Sequence, residues 1–264
     1  DLIFKDINVR GGICYLLWDA YHDSLKYSTK IFTYRNDLTP QCNISQLKVE
    51  DSDIFIRHYL AVEMLKKIRL HKGFESFQKY VSTRKPFGIE GNITKNTKLF
   101  KPTKRGLKNP VLCYAKGKKE GYVDRAIVSK NASWIEKVKV FAPYTNNIGT
   151  ELNDDNLNAF VGEQKTICTE TYFVFGVELS LDIEAAKNLC KYFKSKFARF
   201  THSLAKASHH GTAKTYKFVP LQNFTSKSDI DWSKPIEEID ELLYQKYKLN
   251  QAERDFIESM IKPM

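Results

Sequence analysis

Between positions 186 and 204 the apolar residues Ala186, Leu189, Cys190, Phe193, Phe197, Phe200 and Leu204 recur every three or four positions, the period that lines up side chains on one face of an α-helix. A face carrying three phenylalanines has to be buried, so the rest of the 264-residue chain must supply a surface for it. The other side carries Lys187, Lys191, Lys194, Lys196, Arg199 and Lys206, and residues 185–228 hold nine Lys or Arg with no Asp or Glu. The pattern predicts one long basic amphipathic helix opening the 181–224 stretch, then a polar loop at 208–212 and a strand at 216–221 ended by Pro220. A helix this basic needs an anionic partner or much water.

The charge is distributed unevenly. The chain carries +11, and residues 84–139 alone hold fifteen basic against four acidic residues, whereas 228–264 hold five against nine. Positive charge gathered in the middle and on one helix, with an acidic end, is the footprint of a polyanion binder. Cys14, Cys42, Cys113, Cys168 and Cys190 are spread out, with no paired C-x-x-C and no His at ligand spacing. They predict no metal site and suit free thiols in a reducing, cytoplasmic compartment. No apolar run approaches the ~20 residues of a membrane span. The start at Asp1, with neither an initiator Met nor a signal-peptide pattern, reads as a fragment of a longer protein.

In chain order, 13–18 and 27–34 read as a β-hairpin. A helix follows over 54–68, capped from Asp51, Ser52 or Asp53, with Phe55, Leu60, Met64, Leu65 and Ile68 on its apolar stripe. The turn at 82–88 carries Arg84 and Lys85, and 99–108 adds Lys101, Lys104, Arg105 and Lys108. Strands at 111–115 and 122–128 flank a basic tip with Lys116, Lys118 and Lys119, next to Arg125. Further strands are predicted at 138–141 and 166–175, a polar loop at 144–163, and two helices at 235–247 and 251–261, the second with Asn250 and Glu253 spaced as a capping box. Together these predict an α+β fold: a mixed, twisted β-sheet core, a long basic helix and a C-terminal helical hairpin, divided as 1–72, 73–228 and 229–264.

Signatures of catalysis are sparse. The sequence has no G-x-x-x-x-G-K-[ST] loop, G-x-S-x-G elbow or H-E-x-x-H helix, and no Asn/Asp-Pro-Pro-Tyr/Phe loop or Gly-rich cofactor turn, so no catalytic residue is assigned. One nuclease-like pattern exists: Glu163 and Lys165 form an E-x-K triplet after Asp154 and Asp155, a set able to hold Mg²⁺ and activate water. The adjacent His209 and His210 suit a phosphate or base edge better than a metal, because no third ligand is near. Phe87, Phe100, Tyr114 and Tyr122 interleave with the basic residues and can stack on bases, although aromatics at strand spacing usually fill a core. The candidate DNA contacts are Arg84, Lys85, Lys101, Lys104, Arg105, Lys108, Lys116, Lys118, Lys119, Arg125, Lys206, Ser208, His209, His210 and Lys214.

Several stretches carry a family resemblance: Gly11 to Asp19 (GGICYLLWD), Ser82 to Gly88 (STRKPFG), Cys168 to Tyr172 (CTETY), Tyr216 to Pro220 (YKFVP), and the end, from DIDWS at 229–233 through Glu237, Ile239 and Asp240 to Phe256, Ile257 and Glu258. They resemble the C-terminal half of TaqI-like type II restriction-modification DNA adenine methyltransferases, a bacterial group that includes fused restriction-methylation enzymes. The strand, helix, polar loop and Val-Pro turn also look like the recognition domains of type I specificity subunits. The resemblance implies a target-recognition domain that grips double-stranded DNA while another domain of the same chain flips and methylates adenine. It implies that 1–72 end the methyltransferase domain and that the catalytic and S-adenosylmethionine motifs lie upstream, leaving this fragment without a cofactor. A Mg²⁺-dependent endonuclease and a subunit-interaction module are the alternatives.

Overall fold

The computed structural model describes residues 17, 19–21, 29–34, 40–45, 54, 56, 58–146, 148, 156–206 and 210–262. In order these form β1 (Thr29–Tyr34), β2 (Pro40–Ser45), α1 (Tyr59–Leu70), β3 (Pro110–Ala115), β4 (Lys119–Asp124), β5 (Lys139–Pro143), β6 (Phe160–Gly162), β7 (Thr166–Cys168), β8 (Tyr172–Phe175), α2 (Ile183–Lys194), α3 (Lys196–Ser203), α4 (Ile236–Lys246) and α5 (Gln251–Met260). The class is α+β. Among the described residues, no helix is long and apolar enough to cross a membrane.

Two three-stranded sheets, ordered β4-β3-β7 and β6-β5-β8, stand where a single sheet was expected. The pleat explains why β5 and β8 are buried along their length: Val140, Ala142, Phe173 and Phe175 point into one core, and Phe141, Tyr172 and Val174 into the other. The first core takes in the helices; the second is closed by β3, β4, β7 and the buried Phe87, Ile89 and Phe100. The β6-β5-β8 sheet is therefore the wall between a helical layer and an outer hairpin layer. The helical core runs from Ile56 to Ile261, so α1, α4 and α5 share it with α2 and α3, and the divisions at 72/73 and 228/229 do not separate cores.

The strand predicted over 166–175 is two strands. After β7, parallel to β3, residues 169–171 turn the chain, and β8 joins β5 in the other sheet. The long basic helix is also two. Ser195 is extended between α2 and α3, and its hydroxyl accepts from the Ala198 amide. Buried Asp240 of α4 accepts from the Lys196 and Phe197 amides, so α3 begins where a neighbouring helix supplies the cap. The apolar stripe continues across the break, which is why periodicity alone does not see it. The strand expected at 216–221 is instead a 3-10 turn over Ala213–Tyr216 and a single bridge from Pro220 to Ser76.

At the N-terminal end β1 pairs with β2; the strand predicted at 13–18 lies, apart from Leu17, outside the described residues. α1 starts at Tyr59 with His58 giving no side-chain cap, and the expected cap residues Asp51, Ser52 and Asp53 lie outside the described residues. The C-terminal pair matches expectation. Asn250 and Glu253 form a reciprocal capping box, and Arg254–Glu241 and Tyr244–Glu258 tie α5 to α4.

Candidate nucleic-acid interface

The β3-β4 hairpin forms because Val111, Cys113 and Ala115 alternate with Pro110, Leu112 and Tyr114, the first set fully buried and the second partly exposed. Its tip is a tight Lys116–Lys118 turn in which Gly117 and Lys118 both have positive φ. Lys116, Lys118 and Lys119 are exposed. Two rest on rings: Lys118 Nζ is 4.7 Å from the Phe160 centroid and Lys119 Nζ 5.9 Å from that of Phe100. The Lys118 amide donates to the Tyr172 hydroxyl at 2.8 Å, which fixes the tip to β8.

The basic loop before the hairpin lies along its β4 edge. The Lys101 amide donates to the Tyr122 carbonyl at 2.9 Å and the reverse bond is 2.7 Å, so loop and strand are paired. Gly121 makes the approach possible: a Cβ there would fall 2.2 Å from the Phe100 ring. Lys104 Nζ sits 5.5 Å above Tyr122, and Arg105 and Lys108 are exposed. Residues 95–119 contain nine Lys or Arg and no Asp or Glu. Among the described residues none of them pairs with a carboxylate; Lys101 Nζ donates only to the Arg105 and Gly106 carbonyls. Nearby Asp124 accepts from the Lys108, Asn109 and Ala126 amides, and these bonds hold its carboxyl below the usual range.

Arg84 and Lys85 sit elsewhere, by the 169–171 turn. Arg84 pairs with Glu170 at 3.1 Å and lies over the Tyr144 ring, 5.1 Å from its centroid. Lys85 pairs with Glu90 at 2.6 Å, which raises its own pKa and lowers that of Glu90. His210 stacks on Tyr144 with ring centroids 4.7 Å apart, and Gly211 donates to the Tyr144 carbonyl, bringing the loop that bears exposed Lys214 to this spot. Because β7 runs parallel to β3, the 169–171 turn and the lysine tip lie at the same end of the outer sheet. Ser208 and His209 lie outside the described residues.

Two candidates are placed differently from expectation. Lys206 is 4% exposed, and its ammonium donates to the Asn146 and Ile148 carbonyls at 2.6 and 2.9 Å. It braces the interior and is not a surface contact. Arg125 pairs with Glu136 at 2.5 Å and bonds the Ala132 carbonyl, so its charge is locally matched. Conversely, sequence reasoning missed Glu170, Tyr144 and Phe160, which position the cations. Only the tertiary turn brings Glu170 beside Arg84, and in sequence it fell inside the predicted strand 166–175.

Glu163 and Lys165, the nuclease-like pair, are exposed in the turn between β6 and β7. Asp154 and Asp155 lie outside the described residues. Among the described residues, no three His, Cys, Asp or Glu are grouped to hold a metal. The buried Lys139 is no better placed for chemistry: its ammonium donates to the Trp134, Ile135, Lys137 and Glu163 carbonyls, and burial pushes its pKa down to about 8. In the turn from β8 to α2, Gly176 is closed over by Leu181 and Leu189, and a Cβ there would lie 2.8 and 3.2 Å from their side chains. No protein-family model matches the chain, and no curated protein matches it.

Proposed function

We propose that this chain is a sequence-specific double-stranded-DNA recognition domain, part of a cytoplasmic restriction-modification DNA adenine N6-methyltransferase whose methyl-transfer and S-adenosylmethionine machinery lies in upstream sequence. The observation that carries the reading is the acid-free run 95–119, whose lysines and arginines, among the described residues, pair with no carboxylate on the hairpin and the segment before it. Such charges lower their free energy by displacing counterions from a polyphosphate backbone. Arg84 and Lys85 lie by the 169–171 turn, at the end of the outer sheet that carries the lysine tip, with His210 stacked on Tyr144 beside Arg84.

A mobility-shift titration at low salt tests this. The Lys116→Ala/Lys118→Ala/Lys119→Ala triple variant is expected to bind all duplexes more weakly and to a similar degree, with a shallower dependence of log Kd on log salt. Affinity equal to that of the wild type would take the hairpin out of the interface.

A further inference from the structure

The basic residues fall into two electrostatic settings, and the second is unlike a phosphate grip. Around the hairpin, among the described residues, no lysine or arginine of 95–119 pairs with a carboxylate. Around Arg84 the charge cancels, since Arg84 and Lys85 face Glu90 and Glu170. A phosphate approaching Arg84 also meets the Glu170 carboxylate, so that guanidinium is a poor phosphate ligand. A neutral base edge meets no such repulsion.

The turn that carries Arg84 is also anchored on both sides, which a phosphate contact does not require. At its base, Ser82 is buried and bonded to β8 in both directions, the Ser82 amide to the Val174 carbonyl and the Val174 amide to the Ser82 hydroxyl, each 2.9 Å. On its far side Phe87 is fully buried, and the Pro86 carbonyl accepts from the Asn131 side chain at 2.7 Å. The guanidinium is gripped from two directions by Glu170 and the Tyr144 ring. Glu170 is itself fixed, its second oxygen accepting from the Gly91 amide at 3.3 Å, and Tyr144 is backed by His210. Yet the Arg84 side chain stays 57% exposed, leaving N–H donors free to point outward.

Resting on the DNA-binding reading above, we propose that Arg84 is a specificity-determining residue that reads a guanine through its O6 and N7 acceptors, with Glu170 and Tyr144 as its positioning residues. A planar fork already oriented by a carboxylate and a ring loses little freedom on forming that bidentate contact. The hairpin lysines, which pair with no carboxylate among the described residues, supply the backbone grip.

The test is selection from a random-sequence duplex library with the intact chain, as wild type, Arg84→Lys and Glu170→Gln. Arg84→Lys keeps the charge and removes the fork. It is expected to lose preference for one guanine by about tenfold while binding bulk duplex DNA within twofold of wild type and melting at the same temperature. Glu170→Gln, which frees the guanidinium, is expected to weaken the same preference while strengthening bulk binding. An identical selected sequence from wild type and Arg84→Lys overturns the proposal. So does a wild type that binds duplex but selects no sequence, an outcome that leaves the hairpin grip standing. A wild type that binds no duplex overturns the DNA-binding reading itself.

Discussion

Residues 95–119 and 185–228 are the same in sequence charge: each holds nine Lys or Arg and no Asp or Glu. The structure treats them in opposite ways. On the helical layer Lys187 pairs with Glu184, Lys191 donates to the Trp232 carbonyl, Lys196 pairs with Glu258, and the buried Arg199 donates to the Lys262 carbonyl. Lys191, Lys196 and Arg199 stitch α2 and α3 to the C-terminal segment, and Lys206 ties the end of α3 to the Asn146 and Ile148 carbonyls. On the hairpin, by contrast, lysines lie over aromatic rings and find no carboxylate among the described residues. For Lys191, Lys196, Arg199 and Lys206 charge thus becomes internal cohesion, because carbonyls and one carboxylate are folded against it, whereas exposed Lys214 of the same stretch faces outward like the hairpin lysines.

If that contrast is right, acid should attack the helical layer first. His202 is fully buried against Tyr216; desolvation, then Lys206, pushes its pKa down to about 3. With the folded value below the unfolded one near 6.5, its contribution is fully present above pH 6.5 and is lost as pH falls toward 3, in total on the order of 5 kcal/mol. His202→Gln should remove that part of the pH dependence, seen as a shallower fall of Tm from pH 6.5 to 4. Asp240 acts with the opposite sign. Burial raises its pKa to about 6 against the pull of two amide bonds, so its contribution falls as pH rises from about 3.8 through 6.

Next in size, Lys206→Ala should cost about 3 kcal/mol of stability in urea denaturation, because two buried carbonyls lose their donor. DNA affinity of the folded protein should not change. A loss of affinity with intact stability would return Lys206 to the interface. The triple lysine change at the hairpin tip should do the reverse, weakening duplex binding about 10- to 100-fold near 0.1 M salt and leaving stability within about 0.5 kcal/mol.

Gly121→Ala probes the link between loop and hairpin. Its methyl must displace the Phe100 ring, at a cost of about 1–3 kcal/mol, and should loosen the pairing of Lys101 with Tyr122, visible as faster hydrogen exchange of those two amides. The smallest effect is expected from Lys194→Ala on the exposed side of α2, at less than about twofold in duplex affinity. A larger loss there would erase the distinction between the two regions.

Much of the fold was legible in advance. The β3-β4 hairpin, the basic tip, β5 and the helices of the C-terminal pair follow from alternation, turn residues and a capping box that acts between near neighbours in the chain. The errors share a cause. The break at Ser195 is set partly by Asp240, forty-five positions on; the split of 166–175 is set by which sheet each half can join; and 216–221 curls because Tyr216, Phe218 and Val219 are wanted in the helical core. The candidate site was half legible: the lysines of the tip and loop were named, whereas the grip on Arg84 was not, because Glu170 and Tyr144 reach it only through the turn between two sheets.

The sequence by itself determined where the charge lies along the chain, which faces must be buried, and the short-range turns and caps, since all of these depend on neighbours within a few residues. Only the tertiary structure decided which cations of the two equally basic stretches are matched inside the fold and which are left facing outward. Charge is neutralised by whatever the fold brings within a few ångströms, and those partners are dozens of residues away in sequence.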